Sequence, residues 1–438
     1  MESKSSGATG AGVDLSDMSL NALAKADRND MKESSHANPQ KILMLSPALA
    51  KSNDSKTFAR RLALFYAALF VGFGLHQPFF PIWLKAKGLD DGQIGIVLAG
   101  GLLIRLVATP AVTFLADRGG VLSTAIVMCA SATMVAFVGV GIAEGFAMIL
   151  IGVVITGFVW SPMVPLSDAY GLAGVARRGL DYGRIRVWGS VAFMATNVAG
   201  GVLLIFIAPT HIVWMILASF VPLVIASAML VPDRRETPRS SEDPSYFNAR
   251  FVLVTAAAAF LQSSHAVYYG FASIHWGSLG YSGATVGLLW AIAVLSEIAV
   301  FWIAGRYTAN WRPTSYLLIG GAAGSLRWLL MAFDLPLAVL FPMQLLHAFG
   351  FGLVHLGTMA YLAARLPPHA RASGQGTVSV AAGSTTAVAT LIAGYLYARV
   401  GATAYLAMAG LTIAGVLVTT YARSLPIQPQ PQRDEVGG

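Results

Sequence analysis

The residues of this chain that could do chemistry are mostly ionisable side chains set inside long apolar runs. Arg105, Glu297, Arg327, His347 and His355 lie well within such runs, and Asp168 and Arg186 lie near the ends of two others. A charge at the centre of a bilayer costs roughly 2.5–3.5 kcal/mol on insertion scales, so each is expected to face a cavity or a partner. The chemistry that suits this set is capture of a polar solute and movement of a proton. No GxxxxGK[ST] phosphate loop, HExxH or Cys/His zinc spacing occurs, and no nucleophile–base constellation stands out. Enzyme catalysis, a metal and a cofactor are therefore not expected. The single cysteine, Cys129, excludes an internal disulfide framework.

Spacing groups these residues. GLDDGQIGIVLA at 88–99 aligns without gaps on GYSGATVGLLWA at 280–291, and the same offset of 192 relates Arg105 to Glu297. The two are expected at equivalent mid-depth positions, Arg105 attracting an anionic group and Glu297 carrying a proton. The structural alternative is that each is tied to a local hydroxyl, or to the other as a fixed ion pair. Arg327 and His347 stand seven residues before and eleven after the turn Asp334–Leu335–Pro336. At about 1.5 Å per residue their depths agree within about 6 Å. His355 follows His347 by eight residues, on nearly the same helix face. Glu297, Arg327, His347 and His355 are thus expected to form one proton-coupling cluster.

Other candidates concern the solute. Asp168 and Arg186 flank an inner turn and would meet across it, as a substrate-binding pair or as an ion pair at a gate. His265, Tyr268 and Tyr269, with Phe271, His275 and Trp276 beyond them, make an aromatic and polar surface suited to a ring-bearing solute. His76 precedes Pro78 and Pro81, which predict a kinked helix with a freed carbonyl facing the cavity. Asp117–Arg118–Gly119–Gly120 reads as a tight charged turn, a gate latch rather than a solute site.

The elements that must hold these residues are legible from composition. Of 438 residues, 56% are hydrophobic and 11% charged; soluble domains carry about 25% charged residues. Apolar runs of 18 or more residues recur, and within lipid only a helix satisfies its own backbone over one such run. The expected spans are 58–84, 93–116, 120–143, 146–170, 184–208 and 211–231, then 251–277, 284–305, 314–333, 336–364, 373–397 and 402–422. The polar stretch 232–250 is the linker between an N-terminal bundle, 58–231, and a C-terminal bundle, 251–422. Residues 1–57 are read as a disordered cytosolic tail, with a true start nearer Met44 as the alternative, and 423–438 as a second cytosolic tail. The net charge of +8 sits largely in loops, which argues against nucleic acid as a partner. Thirteen arginines occupy the expected inner loops, against Lys85, Lys87 and Arg399 outside, so both termini are expected in the cytosol. The fold class is an all-α polytopic membrane protein with twelve transmembrane helices in two pseudo-symmetric six-helix bundles, the arrangement of rocking transporters.

Four strings carry a resemblance: LDYGRIRVWGSVAF at 180–193, LQSSHAVYYGF at 261–271, GYSGATVGLLWAIAVLSEIAVF at 280–301 and LLHAFGFGLVHL at 345–356. Over roughly 58–422 the chain resembles the major facilitator superfamily, within it the phenylpropionate permease family, near the lactose permease and nucleoside–proton symporter groups. The resemblance to lactose permease implies that Asp168 and Arg186 are a substrate-binding acid–arginine pair. It likewise implies that Glu297, Arg327 and His347 form a coupling network. The tenth span here has no carboxylate near its histidines, which hands the proton-carrying role to Glu297. Phe193 stands where that family's sugar-stacking indole would be, which argues against a sugar.

The expectation is therefore proton-coupled symport of a small organic solute such as an aromatic carboxylate. It would be carried out by a monomeric, multi-pass protein of a bilayer such as a bacterial inner membrane. A nucleoside or sugar proton symporter is the alternative, and a membrane sensor with a transporter fold comes from a different class.

Overall fold

The computed structural model describes residues 39–119, 122–231, 248–308, 310–367 and 370–426, which contain helices and turns and no strand. Two units are distinguished, Met1–Thr57 and Phe58–Gly438, and the second holds the helix bundle. Residues 39–57, expected to be an unstructured tail, belong to a helix that begins at Pro39. Residues 1–38 and 427–438, and most of the expected linker, lie outside the described residues.

Helices succeed one another along the chain: α1 (Pro39–Ala86), α2 (Asp91–Gly119), α3 (Leu122–Ile142), α4 (Gly145–Trp160), α5 (Met163–Arg178), α6 (Tyr182–Leu203) and α7 (Ile212–Ala228). Beyond the linker come α8 (Ala249–Ser263), α9 (Ala266–Ser278), α10 (Gly283–Tyr307), α11 (Pro313–Met331) and α12 (Leu337–Gln344). A wider π turn, Ala348–Leu353, leads into α13 (Val354–Arg365), then α14 (Arg371–Val400) and α15 (Tyr405–Ser424). Nine helical stretches among the described residues are long and apolar enough to cross a membrane. Large apolar side chains such as Val107, Phe114, Leu295 and Trp302 are exposed, and Arg327 is the one charged side chain among the described residues that is buried. A surface this apolar is stable against acyl chains.

Two of the breaks within spanning stretches have different causes. Between α4 and α5 stands Pro162, which has no N–H to give and whose ring excludes the preceding carbonyl. No proline separates α8 from α9. There Ser263 Oγ donates to the Phe260 carbonyl (3.1 Å), Ser264 Oγ to that of Leu261 (2.7 Å), and His265 Nδ1 to that of Gln262 (3.2 Å). Three successive side chains bond the carbonyl three residues back and compete with the helical ladder, so the helix stops and restarts. The break brings His265 and the Tyr268–Tyr269 pair to the middle of the bundle.

The tightest helix crossings are set by glycine. A Cβ added at Gly95 of α2 would lie 2.7 Å from the Gly394 Cα of α14, and one at Gly287 of α10 would lie 2.1 Å from the Asn197 carbonyl oxygen of α6. Backbone meets backbone at both places.

Candidate functional site

The most connected polar group is built on Arg327, 1% exposed, in the last third of α11. Its Nη1 lies 3.0 Å from His347 Nδ1 and its Nη2 donates to Gln344 Oε1 at 2.8 Å. A guanidinium can only donate, so His347 Nδ1 must accept and the imidazole proton is on Nε2. That atom faces Glu297 Oε2 of α10 at 3.9 Å, an ion-pair contact rather than a hydrogen bond. Glu297 and Arg327 are thus linked through one imidazole of defined tautomer. The Arg327 guanidinium also lies over the rings of Tyr268 (4.3 Å) and Trp328 (4.6 Å), whose π faces favour a buried cation. Gln344 was not singled out from the sequence, because an amide in an apolar run has no spacing signature. It accepts from Arg327 and from Tyr268 Oη (3.3 Å) and donates to the Leu340 carbonyl (3.3 Å).

His355 stands apart from this group. Its ring meets Phe301 at 6.4 Å, and among the described residues no hydrogen bond ties it to Arg327, His347 or Glu297. Eight residues at about 1.5 Å each carry it about 12 Å along the helix from His347, beyond the π turn at Ala348–Leu353.

The break in the α8–α9 stretch supplies an aromatic wall. His265 is fully buried, with its ring 5.3 Å from that of His347 and 5.0 Å from that of Trp328. Its Nδ1 proton is used on Gln262, which leaves Nε2 buried and without a partner among the described residues. Tyr268 is buried beneath Trp290 (4.6 Å), and Tyr269 stacks on the same indole at 6.1 Å. His275 lies at the far end of α9, where Nε2 meets Asp334 Oδ1 at 3.1 Å.

In the first half, Asp168 and Arg186 come together, with Arg186 Nε 3.7 Å from Asp168 Oδ1. The same oxygen accepts from Tyr182 (2.7 Å) and Tyr66 (2.9 Å), whose hydroxyls are 3.0 Å apart. Neither tyrosine was foreseen. Tyr182 lay in the recognisable 180–193 string, whereas Tyr66 is distant in sequence and only packing brings it in. Arg186 also lies over the rings of Phe70 (4.2 Å) and Tyr66 (5.0 Å). Phe193, half-buried, lies two turns further along α6. His76 stacks on Phe80 (4.5 Å) and stands edge-on to Trp160 (4.9 Å), inside an aromatic box.

Arg105 has no hydrogen-bond or ion-pair partner among the described residues, and its side chain is exposed. The direction it faces is given by its neighbours. Leu103 and Val107, two residues to either side, are both exposed apolar groups; two residues at about 100° each put Arg105 on the opposite side of the helix from them. Leu98, two turns earlier on the Arg105 face, reaches towards Gly270 of α9. Arg105 therefore opens towards the interior, between α2 and the second half. Glu297 obeys the same geometry, since Leu295 and Ala299 at two residues' distance are exposed while Glu297 itself is only 17% accessible at its side chain.

Helix register relates the two halves in depth. Along α6 and α10, Gly201 faces Gly283 and Asn197 faces Gly287, so the pair is antiparallel in register. Continued eleven residues inward, that register sets Arg186 level with Ile298, beside Glu297. The acid–arginine pair of the first half and the carboxylate–imidazole–guanidinium group of the second stand at one depth. Arg118 of the expected gate latch lies over the Phe114 ring at 4.5 Å, and the Asp117 side chain lies outside the described residues.

Residues 59–407 match the family model described as MFS_1 like family. The chain is 31% identical over 353 residues to a probable 3-phenylpropionic acid transporter of Escherichia coli, covering 78% of this chain and 92% of that one. It is 27% identical over 380 residues to a maltose permease of Geobacillus stearothermophilus, covering 81% and 92%. Among solved structures, nucleoside transporter NupG superposes with a TM-score of 0.73 at 14% identity, over 84% of this chain and 100% of that one. This multi-pass chain belongs to the MFS_1-like family of major facilitator transporters.

Proposed function

We propose that the protein is a proton-coupled symporter of a small organic anion, an aromatic monocarboxylate such as 3-phenylpropionate. In this reading twelve spans form two six-helix bundles, 58–231 and 251–422. The protein works as a monomer in a bacterial inner membrane with both termini in the cytosol. The observation that carries the reading is Arg105, a cation on an interior helix face with no carboxylate beside it among the described residues. A cation kept at that depth without a counter-ion is a site for one brought by the solute. The aromatic groups of the α8–α9 break and the box around His76 offer ring faces to the rest of such a molecule.

Coupling arises from the second charged group. With Glu297 ionised, its charge answers that of Arg327 through the His347 imidazole. A proton on Glu297 cancels the negative charge and leaves Arg327 uncompensated, which raises the affinity of the cavity for an anion. By linkage the bound anion raises the proton affinity of Glu297 by the same factor. Solute and proton thus load together and leave the cavity with no net change of charge. The test is uptake into proteoliposomes. An inward proton gradient should concentrate 3-phenylpropionate, with one proton taken up per solute, and no accumulation under any gradient would refute the proposal.

A second reading, a nucleoside or sugar symporter, is favoured by the Asp168 site. A carboxylate flanked by two tyrosyl hydroxyls and a guanidinium is equipped to bind a hydroxyl-rich neutral solute. Competition of 3-phenylpropionate binding by a neutral nucleoside or disaccharide, with no competition by other aromatic acids, would select it.

A further inference from the structure

Arg327 is buried and holds two acceptors, and one of them is an uncharged amide where a carboxylate would fit. Gln344 Oε1 lies 2.8 Å from Arg327 Nη2, and the Gln344 side chain is fully enclosed. The amide orientation is determined by its surroundings, since Nε2 donates to the Leu340 carbonyl and Oε1 receives both Arg327 and Tyr268. A glutamate differs from glutamine here by one atom and would make the direct ion pair that buried arginines ordinarily have. From this geometry, and resting on the symport reading above, we infer that Gln344 is a positioning residue. It keeps Arg327 without a direct counter-ion, so that the charge of the whole group is decided by Glu297 alone.

The remaining neighbours of the guanidinium support this. It meets His347, Gln344 and the rings of Tyr268 and Trp328; His265 and Tyr269 complete the wall from the α8–α9 break, and Tyr405 of α15 closes the far side of Trp328. Of these groups Glu297, reached through His347, is the one carboxylate. In the native protein, protonating Glu297 changes the group from neutral to singly positive. With glutamate at position 344 the same step would change it from singly negative to neutral. The positive state that recruits an anion would not form, while Glu297 would take its proton more readily.

The test is the pH profile of solute binding and uptake in full-length Gln344→Glu and Gln344→Met. The glutamate variant should show a pH midpoint of uptake raised by about one unit, the scale of one added neighbouring charge. Its affinity for 3-phenylpropionate at low pH should fall about tenfold or more. Gln344→Met loses the acceptor but adds no charge, and should keep the native midpoint with lower uptake. A glutamate profile that superposes on the native one, or a methionine variant that shifts as far, overturns the inference. Should the glutamate variant not fold, ¹⁵N NMR of the native protein decides, with the His347 signal assigned by its loss in His347→Gln. The expected tautomer carries its proton on Nε2; a proton on Nδ1 would mean that Arg327 does not bond the ring, and the inference falls. Native uptake that ignores pH would instead sink the symport reading, and the NMR result stands apart from it.

Discussion

Gly88 and Gly280 turn through the same left-handed backbone, with φ of +85° and +83°, at positions 192 residues apart. A side chain would be strained there, and each turn starts a helix, α2 or α10, in the same way. Seven residues on, Gly95 and Gly287 occupy two of the crossings at which backbones touch. The halves therefore use one device twice: a glycine turn aims a helix, and a second glycine lets it pass against its neighbour. Arg105 and Glu297 inherit that equivalence, ten residues beyond Gly95 and Gly287.

Replacing the crossing glycine tests the device. In Gly287→Ala the methyl would sit 2.1 Å from the Asn197 carbonyl, and backbone must move. A loss of about 1–3 kcal/mol is expected, seen as a lower melting temperature in detergent. Gly376→Ala in α14 meets nothing within 4 Å and should be neutral or gain up to about 1 kcal/mol from helix propensity. Equal behaviour of the two variants would contradict the crossing.

Glu297→Gln mimics the protonated carboxyl permanently. Uphill uptake in a proton gradient should disappear, while exchange of labelled for unlabelled solute across equal pools persists. A variant that still concentrates solute at the native rate removes Glu297 from coupling.

Arg105→Gln removes the unpaired interior cation and keeps a polar side chain in its place. A charge-assisted hydrogen bond is worth about 1.5–3 kcal/mol, so the dissociation constant for an aromatic acid should rise roughly ten- to hundredfold. Affinity for a neutral analogue should barely change. Isothermal titration of both ligands separates these outcomes, and an unaltered acid affinity would place the anion elsewhere.

Tyr182→Phe and Tyr66→Phe each delete a hydroxyl that Asp168 Oδ1 accepts, at 2.7 and 2.9 Å. Each should cost about 1 kcal/mol of stability. The double variant should cost less than the sum, because the two hydroxyls lie 3.0 Å apart and compete for one carboxylate oxygen. Strict additivity in thermal melts would show that they act independently.

Membrane class, helix order, the repeat of the halves and the identity of the stranded charges are all readable from the amino-acid sequence alone. Each comes from chain-local physics: lipid admits only self-satisfied helices, tolerates few ions, and leaves a repeat visible as glycines at fixed spacing. Which groups share a site is decided only when the helices pack. Tyr66 joins Asp168 from more than a hundred residues away, and Gln344 takes the second Arg327 nitrogen, and neither contact has a local signature. His355 stays out of the coupling group because two turns of helix carry it about 12 Å beyond His347, so a shared face does not make a shared site. The α8–α9 break likewise needs no proline: three side chains bonding back to carbonyls suffice, and their competition with the ladder is settled only once the surrounding helices have closed on it.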